Sequence, residues 1–193
     1  NGKTTTATLL YRIATALGHK AGLISTVENM ILKEKREATH TTPDSISLTK
    51  LLKEMVDKEC EYVFIEVSSH ALDQERVAGI NFTGGIFTNL THDHLDYHKS
   101  LENYFKAKKK FFEMLPENAF ALSNLDDEYG NAMLDGIEAK KYFYGFNKNT
   151  DVGRPKNQAS NIRKDFCGDI LKLDFEGLEL DFNGDKIKSK LLG

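Results

Sequence analysis

Along residues 1–146, short apolar runs suited to buried strands alternate with stretches whose apolar residues recur at helical spacing. This alternation constrains the fold most, because strand–helix–strand repeats build a parallel sheet flanked by helices. Strands are expected at 21–26, 62–67, 85–90, 119–123 and 141–146, with 62–67 in the middle of the sheet. Helices are expected at 4–17, 45–58, 100–114 and 126–134. In the first, Leu9, Leu10, Ile13, Ala14 and Leu17 share a face, and Gly18 is placed to end it. In the second, Leu48, Leu51, Leu52, Met55 and Val56 point inward, and Asp44 is the N-cap. Residues 27–43 read as a loop with a small hairpin. After a polar joint at 147–160 the pattern changes to alternating apolar and polar residues at 162–166, 169–175, 178–182 and 186–191. Turns are marked by Gly168, Gly177 and Asn183-Gly184. The expected architecture is an α/β core with a mostly parallel sheet at 1–146 and a small antiparallel β extension at 147–193.

The chain opens Asn1-Gly2-Lys3-Thr4-Thr5 and enters a helix at once. This is the end of a phosphate-binding loop of the G-x-x-x-x-G-K-[ST] type, with its first glycine upstream. Gly2 lets backbone amides approach phosphate oxygens, Lys3 brings a charge to the terminal phosphates, and the Thr4 hydroxyl can bind Mg²⁺. A bare Gly-Lys-Thr also fits a helix start with a surface lysine. Glu66 ends the apolar run Tyr62-Val-Phe-Ile, where open α/β sheets bind ligands and where a hard carboxylate suits Mg²⁺. A solvated strand-end glutamate reads the same way. The loop Thr91-His-Asp-His-Leu-Asp-Tyr-His98 holds three of the six histidines. It can bind a divalent ion, orient a substrate or simply cap helices; its spacing fits no structural zinc site.

Lys108 is the least expected residue. Tyr104, Lys108, Phe111, Phe112 and Leu115 recur on one helix face, so an ammonium lies along an aromatic stripe. Either its stem packs and its head reaches water, or the lysine is chemically altered. A neutral amine can take up CO₂ to become a carbamate, which turns a cation into an oxygen ligand for Mg²⁺.

Bulk properties exclude several classes. The 193 residues carry a net charge of −3, and the basic cluster at Lys106 and Lys108–Lys110 sits inside a helix, so no nucleic-acid partner is expected. No run approaches the ~20 apolar residues of a membrane span. The two cysteines, Cys60 and Cys167, show no metal-ligand spacing and fit a reduced, cytoplasmic setting. The first residue is not Met and the chain starts inside a motif, so both ends are expected to be cuts.

Together, Asn1-Gly-Lys-Thr-Thr-Thr6, Thr41-Thr-Pro-Asp44, Glu66-Val-Ser-Ser-His-Ala-Leu72 with Gln74 and Arg76, Phe87 to His98, and Tyr104 to Lys108 resemble the Mur ligases of cell-wall synthesis. They resemble most the branch that adds the third residue of the stem peptide, because sister ligases differ at Thr-Thr-Pro-Asp and Glu-Val-Ser-Ser-His. The tail beyond residue 147 matches in general character only. The resemblance implies the central, ATP-binding domain of an amide ligase acting on UDP-N-acetylmuramoyl-L-alanyl-D-glutamate and an amino acid through an acyl phosphate. It implies ATP at Asn1, Gly2, Lys3, Thr4 and Thr5, and Mg²⁺ at Thr4, Glu66, His94 and a carbamylated Lys108. It implies catalytic work by Lys3, His94 and Lys108, and substrate contacts at Thr41, Thr42, Ser68, Gln74 and Arg76. The family's N-terminal and C-terminal domains would be missing partners, and the isolated domain is expected to be inactive. Alternatives are a folylpolyglutamate synthetase or sister Mur ligase, a nucleotide-binding regulatory module, or a degenerate domain keeping only the fold.

Overall fold

The computed structural model describes residues 1–91, 95–146, 165–174, 177–182 and 184–189. The chain divides into two compact units, residues 1–80 with 94–110, and residues 81–93 with 111–193. The expected joint at 147–160 lies outside the described residues.

The first unit opens with helix α1 (Lys3–Ala16), followed by β1 (Ala21–Ile24), β2 (Asn29–Ile31), β3 (Glu34–Arg36), α2 (Ser45–Asp57), β4 (Tyr62–Ile65) and α3 (Ser69–Asp73). The strands form the ladder β3-β2-β1-β4. β1 and β4 run parallel, Ala21 opposite Tyr62 and Ile24 opposite Ile65, while β2 pairs antiparallel with β1 and makes the small hairpin with β3. Successive residues of β1 face opposite sides. Ala21 and Leu23 join Ala7, Tyr11 and Ala14 of α1 in one buried cluster. Gly22 faces α2: a Cβ there would lie 2.6 Å from Met55 Sδ, so a larger residue would require the buried Met55 side chain to shift.

The buried residues of α1 are Ala7, Tyr11 and Ala14, so of the five residues expected to share a face only Ala14 is buried. Leu9, Ile13 and Leu17 are 39%, 55% and 73% exposed. Small alanines bring the helix close to the sheet, and the Tyr11 hydroxyl donates to the Leu32 carbonyl at 2.6 Å. Gly18, at φ 90°, ends α1 with a bond from His19 N to Ala14 O and one from Gly18 N to Thr15 O. Asp44 caps α2 as expected: Oδ1 accepts from Ile46 N and Ser47 N, both at 3.0 Å. Those bonds, Ser47 first, hold its carboxyl below the usual range. Leu48 and Met55 are buried, but Val56 is exposed. β4, expected in the middle of a sheet, is the edge of its ladder among the described residues.

The second unit contains β5 (Gly84–Phe87), β6 (Phe120–Asn124), α6 (Gly130–Met133), β7 (Lys140–Phe146), β8 (Phe166–Asp174), β9 (Gly177–Phe182) and β10 (Asp185–Ser189). The first unit also holds α4 (Leu95–His98) and most of α5 (Leu101–Glu113), the division falling within α5 after Lys110. The ladder is β10-β9-β8-β7-β6-β5, so the strands form two ladders instead of the single sheet expected. β5 to β8 are parallel, and β8 to β10 are antiparallel. The β extension thus begins with a strand parallel to β7 before it reverses. Helix α6 is shorter than the expected 126–134. Asp126 accepts from Phe146 N at 2.7 Å, and Asp127 accepts from Tyr129 N and Leu90 N, both at 2.9 Å. One of these bonds is local and closes a turn, and the other two tie the segment to the backbone at Leu90 and Phe146, so it does not start a helix at 126. Gly130 then passes so close to β6 that a Cβ would lie 1.8 Å from Asn124 O. No helix among the described residues is long and apolar enough to cross a membrane.

Candidate active site

All but one of the expected site residues lie in the first unit and are described; His94, with His92 and Asp93, lies outside the described residues. Gly2, at φ 78° and ψ −6°, turns the chain into α1 in a left-handed conformation that favours glycine. No side chain caps that helix start, so the amides of its first turn and the helix dipole face outward. Asn1, Gly2 and Thr5 are exposed, and Lys3 and Thr4 half-buried.

β4 carries Glu66 to the same place. Its side chain is 5% exposed. Oε2 accepts from Thr4 Oγ1 at 2.8 Å, from Thr26 N at 3.0 Å and from Thr26 Oγ1 at 2.9 Å. The Thr26 proton is committed to Glu66, so Thr26 Oγ1 accepts from Thr41 Oγ1 at 3.0 Å. Among the described residues no cation pairs with Glu66, and Lys3 has no partner for its ammonium. A buried carboxylate is costly without an opposite charge. Three neutral donors hold this one, the Thr4 hydroxyl at the helix start among them. The Glu66 carboxylate and the Thr4 hydroxyl oxygen fit Mg²⁺, which binds hard oxygens and completes its shell with phosphate and water. No group of three or more His, Cys, Asp or Glu able to hold a metal occurs among the described residues.

Thr42 is fully buried and holds the exit from β4. Its hydroxyl donates to Glu66 O at 2.8 Å and accepts from Ser68 N at 3.2 Å. Ser68 Oγ caps α3, accepting from Ala71 N at 3.1 Å. Arg76 donates from Nη1 to Thr42 O at 2.8 Å, and from Nε and Nη2 to Gln74 Oε1 at 2.9 and 2.6 Å. Gln74 Nε2 donates to Tyr97 OH at 3.4 Å, and Tyr97 donates to Asp73 Oδ2 at 2.9 Å. Thr4, Glu66, Thr26, Thr41, Thr42, Ser68, Arg76 and Gln74 thus form one connected network.

On α5, Ser100 Oγ accepts from Asn103 N at 3.1 Å, the expected cap. Tyr104 is buried, and Lys108 is half-buried with Nζ 4.9 Å from the Tyr104 ring centre. The lysine expected on the aromatic stripe does lie on it. Thr26, Tyr97 and His98 are members of this region that sequence reasoning missed. The only signal for Tyr97 and His98 was their place in the histidine-rich loop; Thr26 had none.

The Mur ligase middle domain family matches the chain over residues 1–193. A UDP-N-acetylmuramoyl-L-alanyl-D-glutamate--2,6-diaminopimelate ligase of Parabacteroides distasonis is 50% identical over 193 residues. The protein of the same name from Bacteroides fragilis is 49% identical. Each alignment covers 100% of this chain and 37% of the relative, so the chain spans little more than a third of their length. A solved structure of a ligase of that name superposes with a TM-score of 0.81 at 27% identity, over 100% of this chain and 38% of the other. A family match over residues 1–193, with relatives about half identical along the whole chain, leaves one assignment: the chain belongs to the Mur ligase middle domain family.

Proposed function

We propose that this chain is the ATP-binding centre of a cytoplasmic ligase that joins an amino acid to UDP-N-acetylmuramoyl-L-alanyl-D-glutamate in peptidoglycan synthesis. The observation that carries the reading is the Thr4–Glu66–Thr26 cluster, which puts a buried carboxylate at the uncapped start of α1. The relatives' name supports the substrate class and makes diaminopimelate the favoured amino acid.

In this reading the α1 amides, with Asn1, Gly2 and Thr5, cradle the ATP phosphates, and Lys3 neutralises charge on the γ-phosphoryl group. Thr4, Glu66, His94 and Lys108 as its carbamate would hold Mg²⁺. When bound, Mg²⁺ supplies charge neutralisation to the transferred phosphoryl group. The carbamate forms when the neutral Lys108 amine attacks CO₂, making an N–C bond and releasing a proton.

Arg76, its fork fixed by Gln74 and by the Thr42 carbonyl, would orient a substrate carboxylate together with Thr41 and Ser68. A carboxylate oxygen then attacks the γ-phosphorus, the bond to ADP breaks, and an acyl phosphate forms. The amine of the incoming amino acid attacks the acyl carbon, phosphate leaves, and the nitrogen loses a proton. The N-terminal and C-terminal domains of the complete ligase would supply the remaining substrate contacts.

The test is phosphate release by the complete ligase. Release should require ATP, Mg²⁺, the UDP-linked dipeptide and the amino acid together. Steady hydrolysis of ATP that ignores both acceptor substrates would instead favour a nucleotide-driven regulatory module.

A further inference from the structure

His98 is a buried polar residue that the reading above leaves unused. It ends α4, is 6% exposed, and its Nε2 lies 2.9 Å from Ser69 Oγ, itself 6% exposed. Its backbone carbonyl accepts from Asn103 Nδ2 at 3.1 Å, which fixes the link between α4 and α5. Its ring stacks on Tyr104 with centres 5.0 Å apart and planes 22° from parallel. Tyr104 is 3% exposed and carries the Lys108 ammonium nitrogen 4.9 Å from its ring centre.

A leucine or phenylalanine would fill the same space without burying a polar ring. Imidazole does two things that neither can do together. Its edge reaches the Ser69 hydroxyl, and its face lies flat on Tyr104. Ser69 belongs to the segment leaving Glu66, whereas Tyr104 and Lys108 are one helical turn apart on α5. The imidazole is therefore a fixed spacer between the strand exit that carries Glu66 and the helix that carries Lys108.

We propose that His98 is a positioning residue that sets the place of the Lys108 head relative to Glu66, acting through the Tyr104 ring. This rests on the reading of Lys108 as a carbamylated group of the phosphoryl-transfer site. A misplacement of about 1 Å at such a site can cost about a hundredfold in rate.

The experiment uses the complete ligase with ¹³C-bicarbonate, reading the Lys108 carbamate carbon by NMR beside kcat and the KM for ATP. His98→Ala should lower kcat on the order of tenfold to a hundredfold. The KM for ATP should stay within about twofold, because the ring does not touch the phosphate loop. The carbamate signal per folded molecule should fall as well. His98→Phe keeps the stack and loses the hydrogen bond, and Ser69→Ala loses the same bond from the other side. These two should match each other and fall between wild type and His98→Ala.

A residue that only fills the core would lower the melting temperature and leave the carbamate signal per folded molecule unchanged; that result overturns the proposal. Should His98→Ala fail to fold, unchanged kcat and carbamate in both His98→Phe and Ser69→Ala overturn it equally. Lys108→Ala separates the two layers. If it retains activity, the reading of Lys108 fails. If it is inactive while the His98 variants behave as wild type, only the role of His98 fails.

Discussion

Replacing Thr42 by valine tests whether the strand exit is held as described. Valine keeps the shape but can neither donate to Glu66 O nor accept from Ser68 N. A typical hydrogen bond contributes about 1 kcal/mol net, but a buried group left unpaired costs about 1–3 kcal/mol. Glu66 O sits against a fully buried side chain, whereas Ser68 is half-buried and its amide can recruit water. The first loss therefore dominates, and the expected cost is about 2–3 kcal/mol. For a chain of this size each kcal/mol moves the melting temperature by about 2–4 °C, giving a drop of about 4–12 °C. Thr42→Ser keeps the hydroxyl and loses one methyl, about 1 kcal/mol, so it should melt above Thr42→Val. Circular dichroism melts of the three proteins under one buffer decide it. A valine variant that melts with wild type, or above the serine variant, would refute the hydrogen-bond argument.

Other substitutions address the site and the second unit. Glu66→Gln can still accept from Thr4 and Thr26 through its amide oxygen, so the fold should survive. Mg²⁺-dependent ATP affinity, by calorimetric titration, should nevertheless weaken at least about tenfold. Arg76→Lys cannot reproduce a fork that reaches both Gln74 and the Thr42 carbonyl. The KM for the UDP-linked dipeptide should rise on the order of tenfold or more in steady-state assays. Burial, reinforced by Asp126 and Asp127, pushes the Tyr144 hydroxyl up to about 12, from about 10 in the unfolded chain. Its contribution to stability is whole below pH 10 and is lost as pH rises from there through about 12; Tyr144→Phe should flatten that part of a urea-denaturation pH profile. Gly130→Ala would place a methyl against the Asn124 carbonyl and should destabilise by more than about 2 kcal/mol in the same assay.

Local chemistry was legible in the sequence wherever one residue carries the signal. Asp44 and Ser100 cap helices, Gly18 ends one, and a small hairpin forms within the expected residues 27–43. Glu66 was singled out by its place at the end of an apolar run and Lys108 by its place on an aromatic stripe; the first is buried beside Thr4 and the second lies over the Tyr104 ring. What failed was inference about which side of an apolar segment faces in. Leu9, Ile13 and Leu17 form a stripe at helical spacing, yet the sheet takes the face with small residues, because close approach outweighs the bulk of single side chains. The division of strands into two ladders was also hidden, since pairing partners are set by contacts distant in sequence. Asp126 and Asp127 looked like a helix start and instead bind backbone amides. Thr26 was invisible because a threonine past a strand end has many uses, and only the fold brings it to Glu66.

The central claim is that the start of α1 and the end of β4 make one Mg²⁺–triphosphate site. The direct measurement is an anomalous diffraction map from crystals of the complete ligase grown with Mn²⁺ and a non-hydrolysable ATP analogue. The account predicts a Mn²⁺ peak within roughly 2.5 Å of both Thr4 Oγ1 and a Glu66 carboxylate oxygen, with the analogue's phosphates on the α1 amides. A well-bound analogue whose metal sits elsewhere, with Glu66 still held only by Thr4 and Thr26, would contradict it.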